Sequence, residues 1–332
     1  MNRKTFALAV AAIVAAGLLA AGCGGQDKGA AAPPQAEKPP EIRIAYQNSS
    51  PVILLAKAKG LYEEEFAKDG ITVKYDLYLA GPPMNEAFAG GRADFGQMGD
   101  MPPILARSAG VDIKIISRAG YTPAGNALVI RPDSQYTAVK ELKGKKIATQ
   151  VGSSAHHFLI LVLKENGLTV NDVSIVNLPA PDHRAALETG NVEAIATWEP
   201  WYSTLEAAQA VKPLVDSSQG AKRYLSVMVA RNDFARRYPD IVERFLKVNE
   251  KAADFIRKNP AEAAEIIAKE SKLPVVAFAR VVKSTDWDST ITPADLDAFQ
   301  KVKVFLQDTK VLKKDFDLGE LFDDRYLKKI KN

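Results

Sequence analysis

Cysteine is almost missing from this chain: Cys23 is the only one in 332 residues, which excludes an internal disulfide and any metal site built from several thiolates. Histidine is nearly as scarce, with three. His156 and His157 are adjacent, so on a helix their side chains diverge by about 100°, and with His183 the only other imidazole no catalytic zinc is expected. No serine stands in Gly-x-Ser-x-Gly and no glycine-rich loop ends in Lys-Ser/Thr, so neither a nucleophile elbow nor a nucleotide-phosphate cradle is present. No motif asks for a cofactor. An excess of one charge is lacking too: 44 Lys and Arg stand against 40 Asp and Glu, a net +4. That balance gives no case for nucleic acid, and the tail with Lys328, Lys329 and Lys331 reads as a solvated helix end.

Long apolar runs are confined to Phe6–Ala21, preceded by Arg3 and Lys4; the run is too short and alanine-rich for a lasting membrane span. Leu19-Ala20-Ala21-Gly22-Cys23 resembles the bacterial lipoprotein cleavage motif. The resemblance implies that residues 1–22 are a signal peptide and that Cys23 is a lipid-bearing N-terminus on an extracytoplasmic membrane face. Residues 23–40, rich in Gly, Ala, Pro and Gln, read as a flexible tether.

What the chain does have is a middle written twice. Tyr46-Gln47-Asn48-Ser49-Ser50-Pro51 followed by Lys59-Gly60-Leu61 has a counterpart in Thr149-Gln150-Val151-Gly152-Ser153-Ser154-Ala155 followed by Asn166-Gly167-Leu168. From Leu79 to Asp100 the match continues 99 residues on: Leu79 with Leu178, Phe88 with Leu187, Gly91 with Gly190, Asp94 with Glu193, Asp100 with Glu199. Each copy reads as a short buried strand, a polar turn, a helix capped by serine and stopped by glycine, then a second strand, helix and strand. Alternation of this kind predicts two α/β lobes with open, parallel-type sheets. Ligands of such sheets bind beyond the carboxyl ends of the strands, where helix N-termini offer unpaired N–H groups. The two turns, with Gln47, Ser49 and Ser50 on one and Gly152, Ser153, Ser154, Ala155 and His156 on the other, are therefore expected to face one cleft.

Ala80-Gly81-Pro82-Pro83, Asp94-Phe95-Gly96, Gly99-Asp100-Met101-Pro102-Pro103, Gly152-Ser153-Ser154-Ala155-His156 and Trp198-Glu199-Pro200-Trp201-Tyr202 resemble, in this order, the solute-binding proteins of aliphatic-sulfonate ABC importers. The wider group takes nitrate, taurine and thiamine precursors. The resemblance implies a two-lobed periplasmic-binding-protein fold of type II, with a discontinuous lobe of 41–127 and 220–332 embracing a lobe of 128–219. It also implies a monomeric receptor that is not an enzyme, a small organic anion as ligand, most simply an aliphatic sulfonate or taurine, and a membrane permease as partner. Receptors for nitrate or a thiamine-precursor pyrimidine are the alternatives in the group. Thiamine-pyrimidine synthases share the scaffold, but they rely on a cysteine-rich motif that is absent here.

Candidate ligand contacts are the two serine turns, Asp100 and Met101 at one strand end, and Trp198 and Glu199 at its duplicate. Trp198 would wall the cleft with an indole that has apolar area and one donor. Arg118 and Arg184 are candidate cations for an oxyanion, and Trp287 is a candidate wall from the C-terminal part. Matched carboxylates at Asp100 and Glu199 would favour a ligand amine if they reached the cleft.

Overall fold

The computed structural model describes residues 38–220 and 222–332; the leader, Cys23 and the tether up to residue 37 lie outside the described residues. Ten strands carry the described chain: β1 (Glu41–Tyr46), β2 (Thr72–Leu77), β3 (Phe95–Gly99), β4 (Ile113–Thr122), β5 (Asn126–Ile130), β6 (Lys146–Thr149), β7 (Ser174–Asn177), β8 (Ala194–Trp198), β9 (Lys212–Asp216) and β10 (Tyr224–Arg231). They form two five-stranded sheets, ordered β2-β1-β3-β10-β4 and β7-β6-β8-β5-β9. The duplication in the sequence is thus a duplication of topology, with β6, β7 and β8 standing where β1, β2 and β3 stand.

The repeated contacts follow the repeated residues. Asp94 accepts the Arg43 N–H at 2.9 Å, and Glu193 accepts the Lys146 N–H at 2.9 Å. Ser50 N–H reaches Gln47 O at 3.0 Å, and Ser153 N–H reaches Gln150 O at 3.1 Å. The helices after these turns, Pro51–Ala58 and Ser154–Glu165, run out near Gly60 (φ +64°) and Gly167 (φ +73°), left-handed positions that glycine occupies without strain. Capping differs between the copies. Ser153 Oγ accepts from His156 N–H as expected, whereas Ser50 Oγ is taken by Gln47 N–H and makes no cap, Pro51 already having removed one first-turn donor. Thr292 caps its helix with Asp295 in a capping box, but Asn259 turns its amide back to Phe255 O and caps nothing.

The sheets are mixed, not wholly parallel. β10 runs antiparallel to β3 and β4, and β5 antiparallel to β8 and β9. Both are the strands by which the chain passes from one sheet to the other. A chain arriving from the neighbouring sheet enters at the carboxyl ends of the parallel strands and must run against them.

Alternate residues of each strand pack on opposite layers. In the first sheet Ile42, Ile44 and Phe95 face the long helix Pro239–Lys258, where Phe95 stacks on Phe245 at 4.1 Å between centroids, while Ala45, Met98 and Val227 face Met84 and Phe88. In the second, Leu128 and Ile147 pack on Phe158, and Val129 and Ala148 on Leu187 and Tyr202. These layers fix the strand ends within each sheet.

Candidate functional site

Where the two sets of strand ends meet lies a narrow cavity of about 20 Å³ measured at water centres, room for one or two waters. Gln47, Ser49, Gln97, Tyr224 and Ser226 line it from the first sheet and its turns, and Ser153, Ser154 and Trp198 from the second. Helices starting at Pro51, Gly81 and Met101 on one side and at Ser154 on the other bring their N-terminal ends to it. All four ends bring partial positive charge, but Pro51, Pro82, Pro83, Pro102 and Pro103 strip first-turn donors from three of them, so the Ser154 helix start is the one that presents several N–H groups.

The wall is polar and carries no ionised side chain among its lining residues. Gln47 donates from Nε2 to Gln97 O at 3.3 Å, Ser49 Oγ donates to Gln47 Oε1 at 3.5 Å, and Trp198 Nε1 donates to Ser49 Oγ at 3.4 Å across the cleft. His183 meets the Trp198 indole edge-on at 6.5 Å and is itself held by Nε2–H to Leu178 O. Gln97 Nε2 reaches Ser226 Oγ at 3.4 Å, while its Oε1 is buried without a partner. Gly99 allows the close approach: a Cβ there would lie 2.8 Å from Ser154 Oγ at the start of the helix after β6, which would have to turn away.

Of the expected contacts, Gln47, Ser49, Ser153, Ser154 and Trp198 come together at the cavity. The others are placed elsewhere. Gly152 N–H is spent on His156 Nδ1 at 3.3 Å, so those two residues brace the turn and leave the Ser154 and Ala155 N–H groups as the free helix donors; Ala155 itself packs against Trp198 and Tyr224. Ser50 is locked by Gln47 N–H. Met101 is buried in the core beside Met84 and Ile104. Asp100 forms a fully buried ion pair with Lys222, which the sequence reading did not anticipate because the partner lies 122 residues away on the returning crossover. Burial lowers the Lys222 ammonium and Asp100 opposes that shift. Glu199 accepts from Ser203 N–H at 3.1 Å and Ser203 Oγ at 2.8 Å; burial pushes its carboxyl up to about 7, against the pull of Ser203 and Arg280.

Arg118 and Trp287 are structural. Arg118 donates to Asp286 and to the Asp288 carbonyl, both at 2.6 Å, and pins the segment before the Pro293–Asp308 helix to β4. Trp287 donates to Val282 O at 3.1 Å from within the first core. Arg184 is exposed and paired with Glu188 one helical turn on.

Gln97, Tyr224 and Ser226 were not singled out from the sequence. The signal for two of them was present: Gln97 and Ser226 are polar residues inside otherwise apolar strand runs, Phe95–Met98 and Leu225–Val229, and a buried polar group needs a partner. Among the described residues no cluster of His, Cys, Asp and Glu could hold a metal ion, and no helix is long and apolar enough to cross a membrane.

Residues 47–263 match the family described as NMT1/THI5 like. The chain is 35% identical over 318 residues to a provisionally named aliphatic sulfonates-binding protein of Bacillus subtilis, covering 96% of this chain and 95% of that one. It is 30% identical over 259 residues to the taurine-binding periplasmic protein of Escherichia coli, with 76% and 78% covered. Among solved structures, the alkanesulfonate-binding protein SsuA from Xanthomonas axonopodis pv. citri bound to MOPS superposes with a TM-score of 0.79 at 28% identity, over 87% of this chain and 99% of that one.

Proposed function

The chain belongs to the NMT1/THI5-like family, and from that premise we propose that it is the extracytoplasmic binding component of an ABC importer, capturing a small sulfonate between two lobes for delivery to a membrane permease. The lobes are taken as 41–127 with 220–332, and 128–219. Cys23 is proposed as the lipidated N-terminus that keeps the receptor at the membrane, which mass spectrometry of the membrane-extracted protein tests directly: an intact Met1 or an unmodified Cys23 in wild-type cells rejects it.

The observation that carries this reading is a cavity between facing helix starts, lined by neutral donors and free of charged side chains, whose two walls must part to admit a sulfonate. A sulfonate is ionised at every physiological pH and has three acceptor oxygens in a tripod. Ser154 and Ala155 N–H, serine hydroxyls, a turned Gln97 amide and the Trp198 indole supply donors from several directions. Each hydrogen bond to a charged group contributes about 1.5–3 kcal/mol, so a few suffice without a cation.

The carboxylates that could greet an amine are both engaged, Asp100 by Lys222 and Glu199 by Ser203. A sulfonate with an uncharged tail is therefore favoured over a zwitterion. Calorimetric titration with ethanesulfonate, taurine, nitrate, sulfate and an aminopyrimidine tests the assignment. We expect ethanesulfonate to bind and taurine to bind more weakly; heat from nitrate or the pyrimidine with none from any sulfonate would sink it.

A further inference from the structure

Behind the Trp198 wall, helices of the two sheets touch along a second line. The Trp201–Ala207 helix follows β8, and the Val275–Ser284 helix belongs to the bundle on the first sheet, packing on the Pro260–Ser271 helix that in turn covers Pro51–Ala58. Arg280 reaches from one to the other. Its Nη1 is ion-paired with Glu206, its Nε stands 3.6 Å from Glu199 Oε1, and its guanidinium lies 4.7 Å over the Tyr202 ring. Glu199 is the residue after Trp198, and its own N–H is fixed to Gly125 O at 3.0 Å on the crossover. One cation on the first sheet's bundle therefore grips three side chains that all belong to the segment ending in the cavity wall.

We propose that Arg280 is a closure latch, a positioning residue that holds the Trp198 segment against the first lobe and so sets how long a ligand stays bound. The proposal rests on the two-lobed receptor reading above. Arg280 itself does not line the cavity, and its three attachments join a helix of the first sheet's bundle to the segment that follows β8 in the second. Interactions broken on the way out act mainly on dissociation, whereas encounter with the open cleft does not use them. A planar guanidinium can grip two carboxylates and stack on a ring at once, which an ammonium cannot.

The test compares wild type, Arg280→Gln and Arg280→Lys by stopped-flow binding of ethanesulfonate. Arg280→Gln is expected to raise the dissociation rate about tenfold with the association rate within about twofold of wild type, and Arg280→Lys to fall between. A fold defect would lower the active fraction instead, leaving the rate of the remaining sites unchanged. In parallel, spin labels at exposed Lys140 and Lys247, one beside each sheet, report the distance between lobes in a Cys23→Ser background; Arg280→Gln should shift the distribution to longer distances. Unchanged dissociation together with an unchanged distance distribution overturns the latch. If wild type does not bind ethanesulfonate, the receptor assignment fails, and the distance measurement alone decides for or against the latch.

Discussion

Trp198 Nε1 donates to Ser49 Oγ at 3.4 Å, joining the last residue of β8 to the turn after β1. The bond spans the cavity, and both partners also line it. A ligand oxygen entering the cavity competes for the indole donor, so Trp198 serves closure and recognition with the same group.

Trp198→Phe should keep most of the apolar wall while losing the donor, weakening ethanesulfonate binding by about 1.5–3 kcal/mol. Trp198→Ala removes the wall as well and should cost more, with longer-tailed sulfonates hurt more than sulfate. Calorimetry of both variants against ligands of increasing tail length checks the split; equal losses for sulfate and hexanesulfonate would remove Trp198 from tail contact.

Gly99→Ala places a methyl 2.8 Å from Ser154 Oγ on the helix that follows β6 of the opposite sheet. The clash arises only with the lobes together, so the variant should fold with a near-normal melting temperature yet bind about tenfold more weakly, equivalent to about 1.4 kcal/mol. An equal drop in melting temperature and affinity would mean that Gly99 serves folding alone.

Gln97→Glu puts a carboxylate into the proposed oxyanion site. Two like charges about 4 Å apart at an effective dielectric near 20 repel by about 4 kcal/mol, enough to abolish measurable binding. Lowering the pH should restore part of it as the introduced carboxyl takes up a proton. Binding of an anion undiminished at neutral pH would place the anion elsewhere.

Stability should fall as pH drops from about 6.5 toward 4. Burial holds His156 and His183 down at about 4, and holds His157 well below the ordinary imidazole range, with Lys222 and His156 adding to that. The unfolded chain, with histidines near 6.5, binds more protons through this window, so acid favours it. Glu199 works the other way: its carboxyl, raised to about 7, takes up a proton in the folded state between about 7 and 4.5, a contribution that is present at low pH and lost as pH rises. Three histidines against one carboxylate leave acid destabilising. Urea midpoints at pH 7 and pH 4.5 check the sign, and Glu199→Gln should widen the gap.

Legibility followed sequence distance and duplication. The serine turns, the glycine stops and the carboxylate pair Asp94 and Glu193 could be seen because each occurs twice at a similar offset, and the structure repeats their backbone turns and strand contacts though not the serine cap. Lys222 was invisible as the partner of Asp100, since nothing in a run of residues marks a pairing made across 122 positions. Tyr224 and Ser226 reach the cavity only because β10 returns beside β3, against the parallel direction that the repeat suggested. Asp100 and Glu199 share a repeat position but not an environment: a crossover lysine meets one and a local serine the other, so equivalence in the repeat did not carry equivalence in role.

The exchanged fourth strands bear on how such a molecule can be divided. β5 leaves the first sheet's neighbourhood to sit between β8 and β9, and β10 comes back to sit between β3 and β4. Cutting the chain after residue 125 would leave β4 separated from β3 by an empty lane, with backbone donors and acceptors open on both sides. Neither half is thus a smaller receptor waiting to be released.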